Sequence, residues 1–83
     1  MNYARLDHSP RLQRLLATFQ ANPGVWLTTL DLISQARICA VNSAVDELRE
    51  NGFHIPSRRE RREGEPVWAY RLEDSNRSRA EMV

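Results

Sequence analysis

Four arginines, Arg58, Arg59, Arg61 and Arg62, fall within five consecutive positions, interrupted by Glu60 and followed by Glu63 and Glu65. A guanidinium group is planar, always charged and suited to phosphate oxygens, so such a cluster can hold a polyanion unless the glutamates neutralise it. A second set, Asn42, Ser43, Asp46, Glu47, Arg49 and Glu50, lies fifteen or so positions earlier. Asn, Ser and Arg side chains can reach base edges or the phosphate backbone, whereas carboxylates are repelled by phosphates. The remaining reactive types are scattered. Cys39 is the only cysteine, so the chain can form no internal disulfide and no zinc ribbon. Its neighbours Ile38, Ala40 and Val41 predict a small buried hydrophobe. His8 and His54 stand in separate segments without ligands at metal-binding spacing, and no metal site is expected. There is no glycine-rich phosphate loop, no serine, histidine and acid set at usable spacing, and no carboxylate pair in an apolar setting. No catalytic activity and no cofactor are expected.

A chain of 83 residues is long enough for one domain with a thin core and too short for two. The formal net charge is only +1, and every cationic side chain is arginine. Attraction to nucleic acid must therefore come from local clustering. No apolar stretch approaches the roughly 20 residues that span a bilayer, and no signal-peptide pattern opens the chain, so a cytoplasmic protein without a membrane partner is expected.

Several elements must position these residues. Residues 1–9 are polar apart from Tyr3 and Leu6 and predict a loose arm that packs partly on the domain. Ser9-Pro10 is a helix start, since Ser caps free amides and Pro at the first helical position has none to lose. Leu12, Leu15, Leu16 and Phe19 follow at the spacing of one buried stripe, which predicts a helix over 10–20 ended by Asn22-Pro23-Gly24. Residues 25–27 suit a short first strand. Thr28 and Asp31 form a shortened capping box for a second helix over 29–36, with Leu30, Ile33 and Leu32 on its buried side. A third helix begins near Ala40 and ends at Glu50 or Asn51, with Gly52 as a left-handed stop. On its projection Val41, Ala44, Val45 and Leu48 share one face, and the small Ala44 permits a close crossing with helix 2. Ser43, Asp46 and Glu50 lie opposite, flanked by Asn42, Glu47 and Arg49.

Phe53, His54 and Ile55 read as a strand with Phe53 and Ile55 inward, and Pro56 marks an edge or the end of pairing. Trp68, Tyr70 and Leu72 alternate with Val67, Ala69 and Arg71 as a half-buried second strand. Residues 58–66 between them predict a flexible hairpin tip. Trp26, Trp68, Phe53 and Tyr70 are expected in the core or at the base of the hairpin, and residues 73–83 are expected to be disordered.

The order helix, short strand, helix, helix, strand, loop, strand over 10–72 resembles the winged-helix superfamily. The residues that carry the likeness are Thr28-Thr29-Leu30, Ile38, Val41, Ala44-Val45, Leu48-Arg49, Gly52-Phe53 and Tyr70-Arg71-Leu72. The run from Ala44 to Ile55, followed by a basic turn and Tyr70-Arg71-Leu72, is similar to small winged helix-turn-helix proteins of bacteriophages and prophages. That resemblance implies an α+β fold with a three-helix core and a small antiparallel sheet, made of a two-stranded wing with or without a short first strand. Proteins on this scaffold include transcription regulators, replication proteins and protein-protein modules, and the resemblance implies a role of this kind, with transcription regulation in a phage or prophage as the first expectation. Relatives often carry Gly where this chain has Arg37, which implies either a turn without positive φ or a second helix displaced by one residue.

Two readings of function follow, and they differ in class. In one, a DNA-binding protein contacts double-stranded DNA through Arg58, Arg59, Arg61 and Arg62 in the wing and Asn42, Ser43 and Arg49 from helix 3, with dimerisation raising a weak affinity. In the other, the acidic face of helix 3 makes the domain an interaction module for a protein partner or a second copy of itself.

Overall fold

The computed structural model describes residues 5–73. Three helices and a three-stranded antiparallel sheet follow one another as α1 (Pro10–Ala21), β1 (Leu27–Thr28), α2 (Thr29–Ala36), α3 (Val41–Glu50), β2 (Ser57–Arg62) and β3 (Glu65–Tyr70). A single 3-10 turn, Leu6–His8, precedes them. In the expected arm, Leu6 packs against the core and its amide donates to the Asn51 side chain at 3.1 Å. Of residues 73–83, expected to be disordered, Glu73 is ordered, its amide donating to the His54 carbonyl at 3.0 Å, and residues 74–83 lie outside the described residues.

Local chemistry accounts for the helix ends. The Ser9 hydroxyl accepts from the Leu12 amide at 3.2 Å, and Pro10 occupies the first turn of α1. At α2 the Thr28 hydroxyl accepts from the Asp31 amide at 3.1 Å while the Asp31 carboxylate accepts from the Thr28 amide at 3.0 Å. Asp thus completes a capping box usually closed by the longer Glu. After α3 the Gly52 amide donates to Arg49 and the Phe53 amide to Leu48, with Gly52 at φ 101°. These two bonds form a Schellman motif, which turns the chain toward the sheet.

Between α2 and α3, Arg37 adopts φ 59° and ψ 48°. Neither expectation for this turn holds: the helix keeps its register, and a non-glycine residue takes the left-handed conformation. The Arg14 side chain supports it, donating to the carbonyls of Ala36 at 3.1 Å and Arg37 at 3.4 Å, two groups that the end of α2 leaves without helical partners.

The core lies where the three helices meet the base of the sheet. Leu12, Leu15 and Phe19 of α1, Leu32 and Ala36 of α2, and Val41, Ala44, Val45 and Leu48 of α3 are buried together with Leu27, Ile38, Ile55 and Tyr70. A fully buried Leu or Phe contributes roughly 1.5–3 kcal/mol relative to its exposed state, which makes this cluster the main support of so small a domain. On α2 the expected face is corrected. Leu32 and Ala36 are buried four residues apart, whereas Leu30 is 71% and Ile33 39% exposed. Cys39 is also exposed, not buried, because it occupies the inter-helix turn beside the buried Ile38.

The sheet departs from expectation in its bounds. The first strand is Leu27–Thr28 and pairs with Tyr70 and Ala69. Residues 53–55 are not a regular strand. They run beside residues 71–73 through isolated bonds from the Glu73 amide to the His54 carbonyl and, just beyond them, from the Arg71 amide to the Pro56 carbonyl. Pro56 has no amide to offer a ladder, so continuous pairing begins only at Ser57. The expected flexible tip over 58–66 is instead a regular hairpin, with Ser57 opposite Tyr70 and Arg62 opposite Glu65. Its two-residue turn, Glu63-Gly64, has φ of 53° and 82°, the positive pair that a type I′ turn requires. Four arginines on the outer strand also discourage edge-to-edge pairing with another sheet.

Candidate nucleic-acid interface

Alternation along β2 sorts the arginines onto opposite faces of the ribbon. Arg58 and Arg62 share one face with Glu60, whereas Arg59 and Arg61 share the other with Trp68, Pro66 and Tyr70 across the strands. A loop would have mixed all four.

The first face is electrically self-contained. The Glu60 carboxylate lies 2.6 Å from the Arg58 guanidinium and 3.8 Å from that of Arg62, and Arg62 also approaches Asp31 at 4.0 Å. Arg58 stacks over the Trp26 ring at 4.2 Å, and Arg71 approaches the same ring at 4.8 Å. Arg71 in turn pairs with Glu73. Trp26 is thereby half-covered, although as a packing surface for two guanidinium groups more than as part of the central core.

The second face differs. Among the described residues no carboxylate forms an ion pair with Arg59 or Arg61. Arg59 lies 5.1 Å from the centroid of Trp68, the residue directly opposite it in the ladder, and Arg61 donates to the Gly64 carbonyl at 2.9 Å. Trp68 is 44% exposed, which corrects its expected burial. Only Ala69 and Tyr70 of β3 are buried, since the ribbon leaves the body of the domain beyond them.

Helix α3 meets this same face at its N-terminal end. The Tyr70 hydroxyl donates to the Asn42 side-chain oxygen at 2.5 Å. Asn42 and the neighbouring Ser43 are exposed. The exposed Asn42 and Ser43 at the start of α3 therefore lie beside Tyr70, on the ribbon face that carries Arg59 and Arg61.

Arg49 is placed otherwise. Its guanidinium donates to the Ile55 carbonyl through two nitrogens, at 3.0 and 2.5 Å, and pairs with Asp46 at 3.0 Å. That side chain fastens α3 to the chain entering the ribbon. The acidic residues of α3 are engaged in part as well: Glu47 is half-buried against Arg11 and Asp46 holds Arg49, while Glu50 stands exposed.

Neither the ordering of the arginines by face nor the exposure of Trp68 was foreseen. Strict alternation from Arg58 to Arg62, once Glu63-Gly64 is recognised as a two-residue turn, is the signal that contained the first; Trp68 shares its face with the buried Tyr70, so alternation gives no sign of its exposure. Among the described residues there is no cluster of three His, Cys, Asp or Glu side chains able to hold a metal ion, and no helix is long and apolar enough to cross a membrane.

Comparison of the chain with models of known protein families, with curated proteins and with solved structures found no match.

Proposed function

We propose that the chain is a winged helix-turn-helix domain that binds double-stranded DNA through the Arg59/Arg61 face of its hairpin and the N-terminal turn of α3. The observation that carries this reading is the pairing pattern of the ribbon: Glu60 engages Arg58 and Arg62, and Arg59 and Arg61 have no ion-pair partner among the described residues. Phosphate oxygens are natural acceptors for the two guanidinium groups, and the exposed Asn42 and Ser43 add hydrogen-bonding groups at the adjoining helix end. Arg58 and Arg62 then stiffen the wing, and Arg49 holds it against α3, instead of touching DNA. A role in transcription regulation, and a phage or prophage setting, extend this proposal by resemblance alone.

The affinity is modest and depends on salt. Each phosphate contact contributes roughly −0.9 to the slope of log affinity against log salt, so two to four contacts give weak binding at physiological ionic strength. Titration of a labelled duplex at low and moderate salt tests the proposal, using the wild type and a variant with Arg58, Arg59, Arg61 and Arg62 all changed to Ala. Salt-sensitive binding by the wild type and its loss in the variant are expected. Equal affinity of the two proteins removes the hairpin from the mechanism, and absence of salt-sensitive binding by the wild type removes the DNA reading.

A second reading is favoured by one feature, the exposed apolar side chains of Leu30 and Ile33 on α2. They suit a protein partner or a second copy of the chain. Light scattering after size exclusion, with Leu30→Ser as the control, separates self-association from a monomeric DNA binder.

A further inference from the structure

Trp68 leaves 44% of its surface in water, on the same face of the ribbon as Arg59 and Arg61. Its neighbour two positions on, Tyr70, is 5% exposed and belongs to the core, so the hydrophobic centre ends before Trp68 is reached. The two tryptophans of the chain make the contrast plain. Trp26 is approached by Arg58 and Arg71, at 4.2 and 4.8 Å, and both arginines are themselves paired with carboxylates. Trp68 is approached by the guanidinium of Arg59 alone among the described arginines, at 5.1 Å, and neither Arg59 nor Arg61 on the same face has an acidic partner among the described residues. An indole with accessible surface thus lies opposite Arg59, on the ribbon face that also carries Arg61.

We propose that Trp68 is a stacking platform for an unpaired DNA base, so that the Arg59/Arg61 face selects DNA with single-stranded or distorted steps over continuous duplex. The inference rests on the reading of that face as a DNA interface. In a regular duplex both faces of each base are covered by neighbouring pairs, and a flat aromatic side chain gains nothing from them. A base released from the stack offers a complete π face, while the phosphates on either side of it meet Arg59 and Arg61. Stacking of this kind tolerates any base, so the selection is for strand structure and not for sequence.

Fluorescence anisotropy with three labelled probes tests the inference: an oligothymidylate of about a dozen nucleotides, a blunt duplex, and the same duplex with one unpaired thymine at its centre. Relative to the wild type, Trp68→Ala is expected to bind the oligothymidylate and the bulged duplex roughly 5- to 150-fold more weakly while changing blunt-duplex affinity by less than about twofold. Trp68→Phe, which keeps a ring, retains most of the preference. The exposed position makes Trp68→Ala fit to fold, and circular dichroism checks that it has. Unchanged oligothymidylate binding by Trp68→Ala, or a wild type that prefers blunt duplex to both other probes, overturns the stacking role. The Arg59→Ala/Arg61→Ala variant separates the two levels of argument. If it weakens blunt-duplex binding while Trp68→Ala changes nothing, only the stacking proposal fails; if it leaves all three affinities unchanged, the DNA reading of the face fails with it.

Discussion

The hydroxyl of Tyr70 donates to the side-chain oxygen of Asn42 at 2.5 Å and so ties the last residue of β3 to the first turn of α3. One end of Tyr70 lies in the core, and the other fixes the side chain that the proposed interface presents next to the ribbon. Tyr70→Phe keeps the ring and removes the bond. Because Asn42 is exposed and water can replace its lost partner, the expected loss of stability is about 0.5–1.5 kcal/mol. A urea melt measures it, with an unchanged m-value expected because the compactness of the two proteins is the same.

Leu48 has no exposed surface and joins α3 to the common core. Leu48→Ala is expected to cost about 2–5 kcal/mol, the range for a buried leucine whose cavity closes only in part. In a domain this small, that is enough to unfold a large share of the molecules at room temperature. Thermal or urea melts followed by circular dichroism show the loss, and a melt matching the wild type would place Leu48 outside the core.

Two left-handed residues give opposite expectations. A Cβ at Gly52 would meet nothing within 4 Å, so the cost of Gly52→Ala is conformational and not steric: about 1–2 kcal/mol for holding alanine at φ 101°. At Arg37 the penalty is already present. Arg37→Gly relieves it and returns part of the gain as unfolded-chain entropy, for a net rise of about 0.5 kcal/mol, whereas a β-branched residue there is expected to destabilise. Paired chemical denaturation of Gly52→Ala, Arg37→Gly and Arg37→Val checks the three signs together.

Arg49 is expected to act on stability before binding. Its guanidinium satisfies the Ile55 carbonyl and pairs with Asp46, so Arg49→Ala frees a buried residue's carbonyl and loosens the joint between α3 and the ribbon. The expected cost is about 1–3 kcal/mol, with DNA affinity reduced but the salt slope unchanged. A slope lowered by about 1 would instead make Arg49 a phosphate contact.

The helices were legible because their signals are local. Ser9-Pro10, the Thr28 and Asp31 pair and Gly52 each mark an end by chemistry confined to a few residues, and the stripes of α1 and α3 have a clear helical period. In α2, apolar residues at 30, 32, 33 and 36 allow two faces over eight positions, and only packing against α1 and α3 decides for Leu32 and Ala36. The ribbon is harder for a different reason. Both of its faces meet solvent beyond Ala69, so no alternation of apolar with polar residues announces strand Ser57–Arg62 or its register. Glu60 reaches Arg58 and Arg62 because they are its neighbours two positions away on an extended strand, and it is that strand which the sequence pattern does not announce. The sequence therefore showed that Arg58, Arg59, Arg61 and Arg62 belong together, but not that Glu60 takes two of them and leaves two.

That division is the claim on which the functional account stands, and the salt dependence of duplex binding tests it most directly. Log affinity against log salt is measured for the wild type, for Arg58→Ala/Arg62→Ala and for Arg59→Ala/Arg61→Ala. The account predicts a slope shallower by roughly 1–2 for the Arg59/Arg61 variant, one unit per lost phosphate contact, and a slope equal to the wild type's for the Arg58/Arg62 variant. Equal changes in the two variants, or the larger change in the Arg58/Arg62 variant, would contradict it.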